Sequence, residues 1–548
     1  MSDLLRMTGM YSGMDTESIV QQLVKTKSTK VTNLKNEQKK LEWKQTAWQD
    51  LNSKIYNLYS KTLSNLRLSS AYSKKSTVCS DSTKATIVAS EGAVNGTQTL
   101  KVNKLAKSGY LTGAKLDGKT TTTTGADGKD VTKTVDWAVT DKLSEIDSNL
   151  TGKTITLTTG SGTDAKATDI EITADMTIND LVAKFKDAGV NASFDTTNQR
   201  FFINSTGTGS AKNFTLTSDD STALASLGLD PNATYTDING SKNSCVKIEG
   251  QDAEIVLNGA TFVSDSNTFS INGLTINTLG VTDEEISVVT STDYDGIYNT
   301  IKDFLTEYND LINEMDKLYN ADSARKYDML TDDEKESMTD DEVEQWEDKI
   351  KSALLRKDNS LYTVMNTLTS TMMEGFYENN LSDKEKKNMT SGEIAAWYKE
   401  NGGKKHYLSD YGIGTLSYFE AQDNEHHAYH INGDADDEFT STKEDKLKAA
   451  IAEDPEGTAN FFATLCKTLY SKLDETMSES TDYSSIYKVY NDKQLKKDYS
   501  DYTTKISDAE SELNDYEDRW YDKFSKMEVA LSKLQSQTSS ISSMLGSN

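Results

Sequence analysis

The strongest constraint on this chain lies near its end. Ile506, Leu513, Trp520, Met527, Leu534 and Ile541 recur at every seventh residue. Ala509, Tyr516, Ala530 and Met544 fill positions three residues further on, and Phe524, Leu531 and Leu545 those four further on. A period of seven keeps one face of a helix turned to a partner over about five heptads. A single amphipathic helix on a globular core would also show a stripe. The length of this one, with charge on its other faces, points to a coiled-coil or bundle seam.

The start of the chain mirrors the end. Val20, Val24, Val31, Leu34, Leu41, Trp48 and Ile55 form a thinner stripe, interrupted by Lys27, Gln38 and Gln45. Asp15 or Thr16 is placed to cap this helix, and Glu17 suits the positive end of its dipole. The segment reads as helix to about Leu68. Only two prolines, Pro231 and Pro455, occur in 548 residues, so the long helices escape their strongest breaker.

Between about Ser76 and Ser291 the pattern changes. "ATIVAS", "TQTLKVNKLA", "KTITLTTG", "ATDIEITA", "RFFINSTGTG" and "FTLTS" alternate apolar and polar residues, as half-buried strands do. "TINDLVAKFKDAG" interrupts them as a helix ending on Gly189. Asn258–Gly259 and Asn272–Gly273 are hairpin turn signals. The threonine-rich run from Thr120 to Gly128 reads as a loop tip. Helix returns near Asp293, with Ile297, Ile301, Phe304, Leu305, Tyr308, Leu311, Ile312 and Met315 on one face. Further helices are expected near Tyr362–Met373 and Phe461–Met477. The plan is nested: helical ends bracket a helical layer, which brackets a β-rich middle, so the two ends should lie side by side.

Charge and composition narrow the function. A net charge of −28 leaves no basic stripe for nucleic acid or anionic lipid. With 35% apolar residues, long stretches must be solvated or covered by a partner. Cys79, Cys245 and Cys466 form no C-x-x-C pair, which argues against a disulfide framework or thiolate zinc site. No secretory signal or spanning segment is expected. That pattern fits the cytoplasm, or export by a route without a cleaved signal.

Catalytic and metal chemistry finds little footing. His426, His427 and His430 stand near Glu425, Asp434, Asp436 and Asp437. As part of a strand, His427 and His430 would face opposite ways, and His426 and His430 would stand roughly 13 Å apart. A solvated loop is the expectation there. "GTGSAKN" at Gly207 lacks the P-loop lysine and opens no helix. Asp328, Asp332, Asp333 and Glu334 read as a solvated face. No enzyme activity, cofactor or metal is expected.

Several ordered blocks resemble the flagellar filament-capping family, hook-associated protein 2. Ser12, Gly13, Met14, Asp15, Trp43, Ala47, Trp48, Leu51 and Asn52 stand where that family has its N-terminal pattern. "DAEIVLNGATFVSDSNTFSINGLTINTLG", "LLRKDNSLYTVMNTL", "YGIGTLS", "EDKLKAAIAEDPEGTANFF" and "FSKMEVALSKLQSQTSSISSML" resemble its later blocks. The piece from about Ala167 to Leu216 is similar to a motif inserted in flagellins and hook-associated proteins. Residues 111–162 resemble nothing of the kind.

The resemblance implies an α+β multidomain fold. Terminal coiled-coil helices (1–45 and 505–548, mobile in the monomer) and a helical leg domain (46–75 and 290–504) would bracket two β-rich head domains (76–108 with 228–289, and 109–227). It also implies a secreted structural protein at the flagellum tip, exported unfolded, that caps the filament, promotes flagellin polymerisation and supports motility. Its partners would be further copies of itself, usually five, with flagellin, hook–filament junction proteins and an export chaperone. No nucleic acid or membrane is expected among them. The short apolar hook at Gly9–Met14 would order on contact. Candidate contact and oligomerisation residues are Met14, Ile19, Val20, Leu23, Val24, Val31 and Leu34, with Ile506, Leu513, Trp520, Met527, Leu534 and Ile541. Flagellin or a junction protein fits the chain ends less well. An adhesin binding host glycans or mucin through the β-rich head is the alternative, and a metallohydrolase the remotest.

Overall fold

Apolar periodicity sorts the chain into a helical unit, Met1–Tyr72 with Tyr294–Asn548, and a β-rich unit, Ser73–Asp293. The structure, a computed structural model, describes residues 11–124, 130–220, 222–236, 242–379, 381 and 383–546. Of the apolar hook, Gly9 and Met10 lie outside the described residues.

The helical unit begins with Thr16–Asn57. Asp15 caps it by accepting from the Ser18 backbone N–H at 3.0 Å and the Ser18 hydroxyl at 2.6 Å. The helix widens into a π-turn at Leu58–Leu63, with Leu58 and Leu63 fully buried. Tyr294–Tyr319 buries all eight apolar residues expected of its inner face. Asn359–Met372 and Pro455–Met477 pack against it. Pro455 occupies the first turn, where its missing N–H costs nothing, and Asp454 caps the Gly457 N–H at 2.9 Å. The long helix Asp492–Leu545 closes the unit. Trp48, Leu51, Ile55, Phe304, Tyr308, Leu368, Phe462 and Leu469 belong to one continuous core. Each such side chain contributes roughly 1.5–3 kcal/mol on full burial.

The β-rich unit holds two cores. In the first, a five-stranded antiparallel sheet runs in the order Lys75–Cys79, Ile286–Thr292, Gly96–Lys104, Ala253–Leu257, Ala260–Ser264. A three-stranded sheet of Thr268–Ile271, Leu274–Thr278 and Ala85–Ala89 accompanies it. Both hairpins turn on Asn-Gly pairs with positive φ at each residue, 50° and 81° at Asn258–Gly259 and 47° and 80° at Asn272–Gly273. That is the primed turn whose twist matches the strands.

The second core gathers Leu111, Trp137, Ile155, Leu157, Phe185, Phe201 and Phe214. Its sheets are Val246–Ile248, Ser108–Thr112, Arg200–Thr208, Val190–Asp195, and Phe214–Ser218, Thr154–Thr159, Lys166–Glu171. The helix Ile178–Asp187 has a reciprocal Thr177–Asp180 capping box, and the chain leaves it through Gly189 at φ 103°.

One expectation fails here. Thr120–Thr124 is not part of a loop tip: Lys119–Thr124 pairs as a strand with Asp130–Val135. β-Branched threonine favours extended backbone, which the low complexity of the run concealed. Residues 125–128 lie outside the described residues.

Candidate interface of the paired terminal helices

The two stripes meet as an antiparallel pair. At its base Trp48 stacks on Tyr490 with ring centroids 5.0 Å apart and planes 6° from parallel. Asn52, also buried, donates to the Tyr487 carbonyl at 3.1 Å and accepts from the Val489 N–H at 3.0 Å. Higher up, Gln38 donates to the Thr503 hydroxyl at 2.7 Å. Lys35 pairs with Glu510 at 2.6 Å, and Lys30 with Glu512 at 2.9 Å. Above these, Lys27 lies over the Tyr516 ring and the Tyr521 hydroxyl donates to Glu17 at 3.0 Å.

A clasp closes the top. The buried Glu528 accepts from the Tyr11 N–H at 2.9 Å and the Ser12 N–H at 3.3 Å, and from the Ser12 hydroxyl. The Ser12 hydroxyl, then the Tyr11 amide, hold its carboxyl below the usual range. Lys30 does the same for Glu512, and Ser18 for Asp15.

The thirteen candidate residues divide into three groups. Val20, Val31 and Ile506 are buried inside the pair and face the chain's own partner helix. Ile19, Leu23, Val24, Leu34, Leu513, Trp520 and Met527 are half-buried. Met14, Leu534 and Ile541 are exposed, at 41%, 58% and 57%. The outward-facing set is therefore smaller than the thirteen, because each stripe finds the other within a single chain. Tyr516, Trp520 and Phe524 form a ladder of rings at one-turn spacing, with Lys523 over the Trp520 ring at 4.3 Å. Past Glu528 the C-terminal helix runs on to Leu545. That stretch spans about 25 Å at 1.5 Å per residue, and its seam residues Leu534 and Ile541 face solvent.

The histidine segment is a loop, as expected, though its three histidines are half-buried and not fully solvated. Only His430–Ile431 is extended, paired with Ile413–Gly414. His426 stacks on Tyr418 at 4.7 Å, and His430 Nδ1 meets Asp437 at 2.7 Å, so each ring is engaged separately. Among the described residues no group of three or more His, Cys, Asp or Glu side chains is placed to hold a metal. Asp328, Asp332, Asp333 and Glu334 are exposed, and Glu334 closes a reciprocal capping box with Thr331.

Sequence reasoning missed Glu528. It is a single carboxylate in a charged helix, and its partner lies 516 residues away at Ser12. It also missed an internal repeat. "LTDDEKESMTDDEVEQWEDK" at 330–349 aligns with "LSDKEKKNMTSGEIAAWYKE" at 381–400 without a gap. Comparing the chain with itself would have found it.

Known proteins match both terminal regions of the chain. The family described as Flagellar hook-associated protein 2 C-terminus matches residues 250–536, and its N-terminus counterpart matches residues 12–109. A flagellar hook-associated protein 2 from Halalkalibacterium halodurans is 25% identical, over 98% of this chain and 99% of its own. One from Thermotoga maritima is 27% identical over 69% of this chain and 53% of its own. The solved D1-D2-D3 domains of the flagellar cap protein FliD from Escherichia coli align with 80% of this chain and 97% of theirs, at a TM-score of 0.48 and 20% identity. Among the described residues no helix is long and apolar enough to cross a membrane. Since the C-terminal family match alone covers more than half of the chain, the chain belongs to the flagellar hook-associated protein 2 family.

Proposed function

We propose that this chain caps the distal end of the bacterial flagellar filament, outside the cell, and promotes flagellin polymerisation there. One observation carries the reading: the family matches fall on both terminal regions, and those regions form one helix pair with an open end. Flagellin reaches the tip unfolded and must be held long enough to fold and dock, a gain in effective concentration. The helical unit serves as legs on the filament and the β-rich unit as the head. The working form is a homo-oligomer, with five copies as the expected number. Hook–filament junction proteins and an export chaperone complete its partners. The relatives named above offer the adhesin alternative no support.

Deleting the gene tests this. Cells should become non-motile while flagellin is still made and leaks into the medium as monomer, and the full chain supplied in trans should restore swimming. Full-length filaments in the deletion strain, with no second capping gene, would overturn the reading.

A further inference from the structure

The repeat at 330–349 and 381–400 is structural as well as sequential. Each copy places a short helix, Asp332–Glu336 or Asp383–Lys386, ahead of a longer one, Asp340–Ser352 or Ser391–Asn401. The longer helices begin with equivalent reciprocal capping boxes, Thr339–Glu342 and Thr390–Glu393. Equivalent residues share their burial: Met338 and Met389, Val343 and Ile394, Trp346 and Trp397 are all half-buried. Even one internal contact is preserved with altered chemistry. Lys335 pairs with Glu347 at 2.8 Å, and its counterpart Lys386 lies over the ring of Tyr398, the counterpart of Glu347.

What diverges is the exposed charge. Asp333, Glu336 and Asp348 of the first copy become Lys384, Lys387 and Lys399 of the second, and all six are solvent-facing. The first copy also carries exposed Asp340, Asp341 and Glu344, where the second has Ser391, Gly392 and Ala395. One scaffold thus appears twice on one chain, once strongly acidic and once without that excess. We propose that the two copies are the complementary halves of a contact between neighbouring copies of this chain, the acidic hairpin of one against the lysine-bearing hairpin of the next. A chain with both halves associates head to tail, the type of contact that closes into a ring. The charge match sets register and orientation more than it supplies affinity. This inference rests on the self-assembling cap proposed above.

The repeat supplies its own test, since each copy shows which residues the shared scaffold accepts. One full-length variant carries Lys384→Asp, Lys387→Glu and Lys399→Asp, and a second carries Asp333→Lys, Glu336→Lys and Asp348→Lys. A third exchanges segments 330–349 and 381–400 whole, so that each charge pattern sits at the other's position. Sedimentation velocity at low salt should show self-association weakened about tenfold or more in each triple variant, and restored in the exchanged variant, whose polarity is reversed but matched. Raising the salt should narrow the differences, because exposed charges are screened within about 10 Å at 0.1 M. Unchanged association of either triple variant, with the unaltered chain oligomeric, would overturn this inference and leave the cap reading standing. Failure of the exchanged variant to recover would also overturn it. An unaltered chain that stays monomeric at every concentration would overturn the inference and the self-assembling cap together.

Discussion

The base and the tip of the terminal helix pair are built from the same two helices by different means. At the base, Trp48, Leu51 and Ile55 are almost wholly buried in a core shared with several other helices of the unit. At the tip the contacts are ion pairs between exposed side chains, one buried carboxylate, a ladder of half-covered rings and only an occasional fully buried apolar residue such as Val20. Exposed ion pairs contribute about 0–1 kcal/mol each, and a fully buried large apolar side chain roughly 1.5–3 kcal/mol. The base is therefore held by more buried apolar surface than the tip. A cap that must grip a filament and yield to each new subunit needs that gradient.

The largest effect is expected at the base. Trp48→Ala removes a ring that is 1% exposed and stacked on Tyr490, and should cost about 3–5 kcal/mol. Denaturant unfolding followed by far-UV circular dichroism checks this. A cost below about 1 kcal/mol would mean that the base is no firmer than the tip.

Asn52 comes next. Its amide serves Tyr487 and Val489 at once, and Asn52→Ala leaves the part-buried Tyr487 carbonyl and the buried Val489 N–H without this partner. The expected loss is about 1–3 kcal/mol. Asn52→Asp should fare no better, because a carboxylate cannot donate to the Tyr487 carbonyl.

How far could these positions be read from the sequence? The seam and both Asn-Gly hairpins were legible because each follows from a local rule, a period of seven or a turn that needs positive φ at both residues. Periodicity identifies which face of a helix is apolar but not what covers it. Ile506 and Leu534 hold equivalent seam positions, yet one is buried and the other exposed. Glu528 was invisible for a related reason, and Asn52 was marked by the family pattern but not for its role. Their roles come from partners more than 430 residues away, and a polar residue in a polar helix carries no local mark.

A smaller effect separates tip from base by pH. Asp15, Glu512 and Glu528 have carboxyls held below their ordinary values, and all three lie at the tip. A carboxyl lowered by folding stabilises fully above its ordinary range, near pH 4.5 for glutamate, and loses that contribution as the pH falls through the lowered value. Acidification below about pH 4.5 should therefore loosen the tip while the base holds. Hydrogen exchange of residues 11–30 and 512–528, normalised to unstructured peptides at each pH, should rise before that of residues 46–58. Glu528→Gln should produce the loosening around residues 11–16 already at pH 7. Simultaneous opening of tip and base would remove the distinction between them.

The smallest effect on stability, and the sharpest test of the comparison, is expected beyond the clasp. Leu534 and Ile541 are 58% and 57% exposed, so Leu534→Asp with Ile541→Asp should shift the unfolding free energy by less than about 0.5 kcal/mol. Isolated exposed apolar residues are ordinary and need no explanation. These two differ because they continue, at seven-residue spacing, a seam that begins at the buried Ile506. If that seam closes on a neighbouring copy or on the filament, each aspartate enters a position where an apolar side chain contributes roughly 1.5–3 kcal/mol, and assembly should fail. The double variant should then unfold like the unaltered chain yet leave a deletion strain non-motile. Restored motility, with unchanged sedimentation, would show that the repeat past Glu528 is only a solvated helix end. The gradient from base to tip would then belong to the fold and not to the cap.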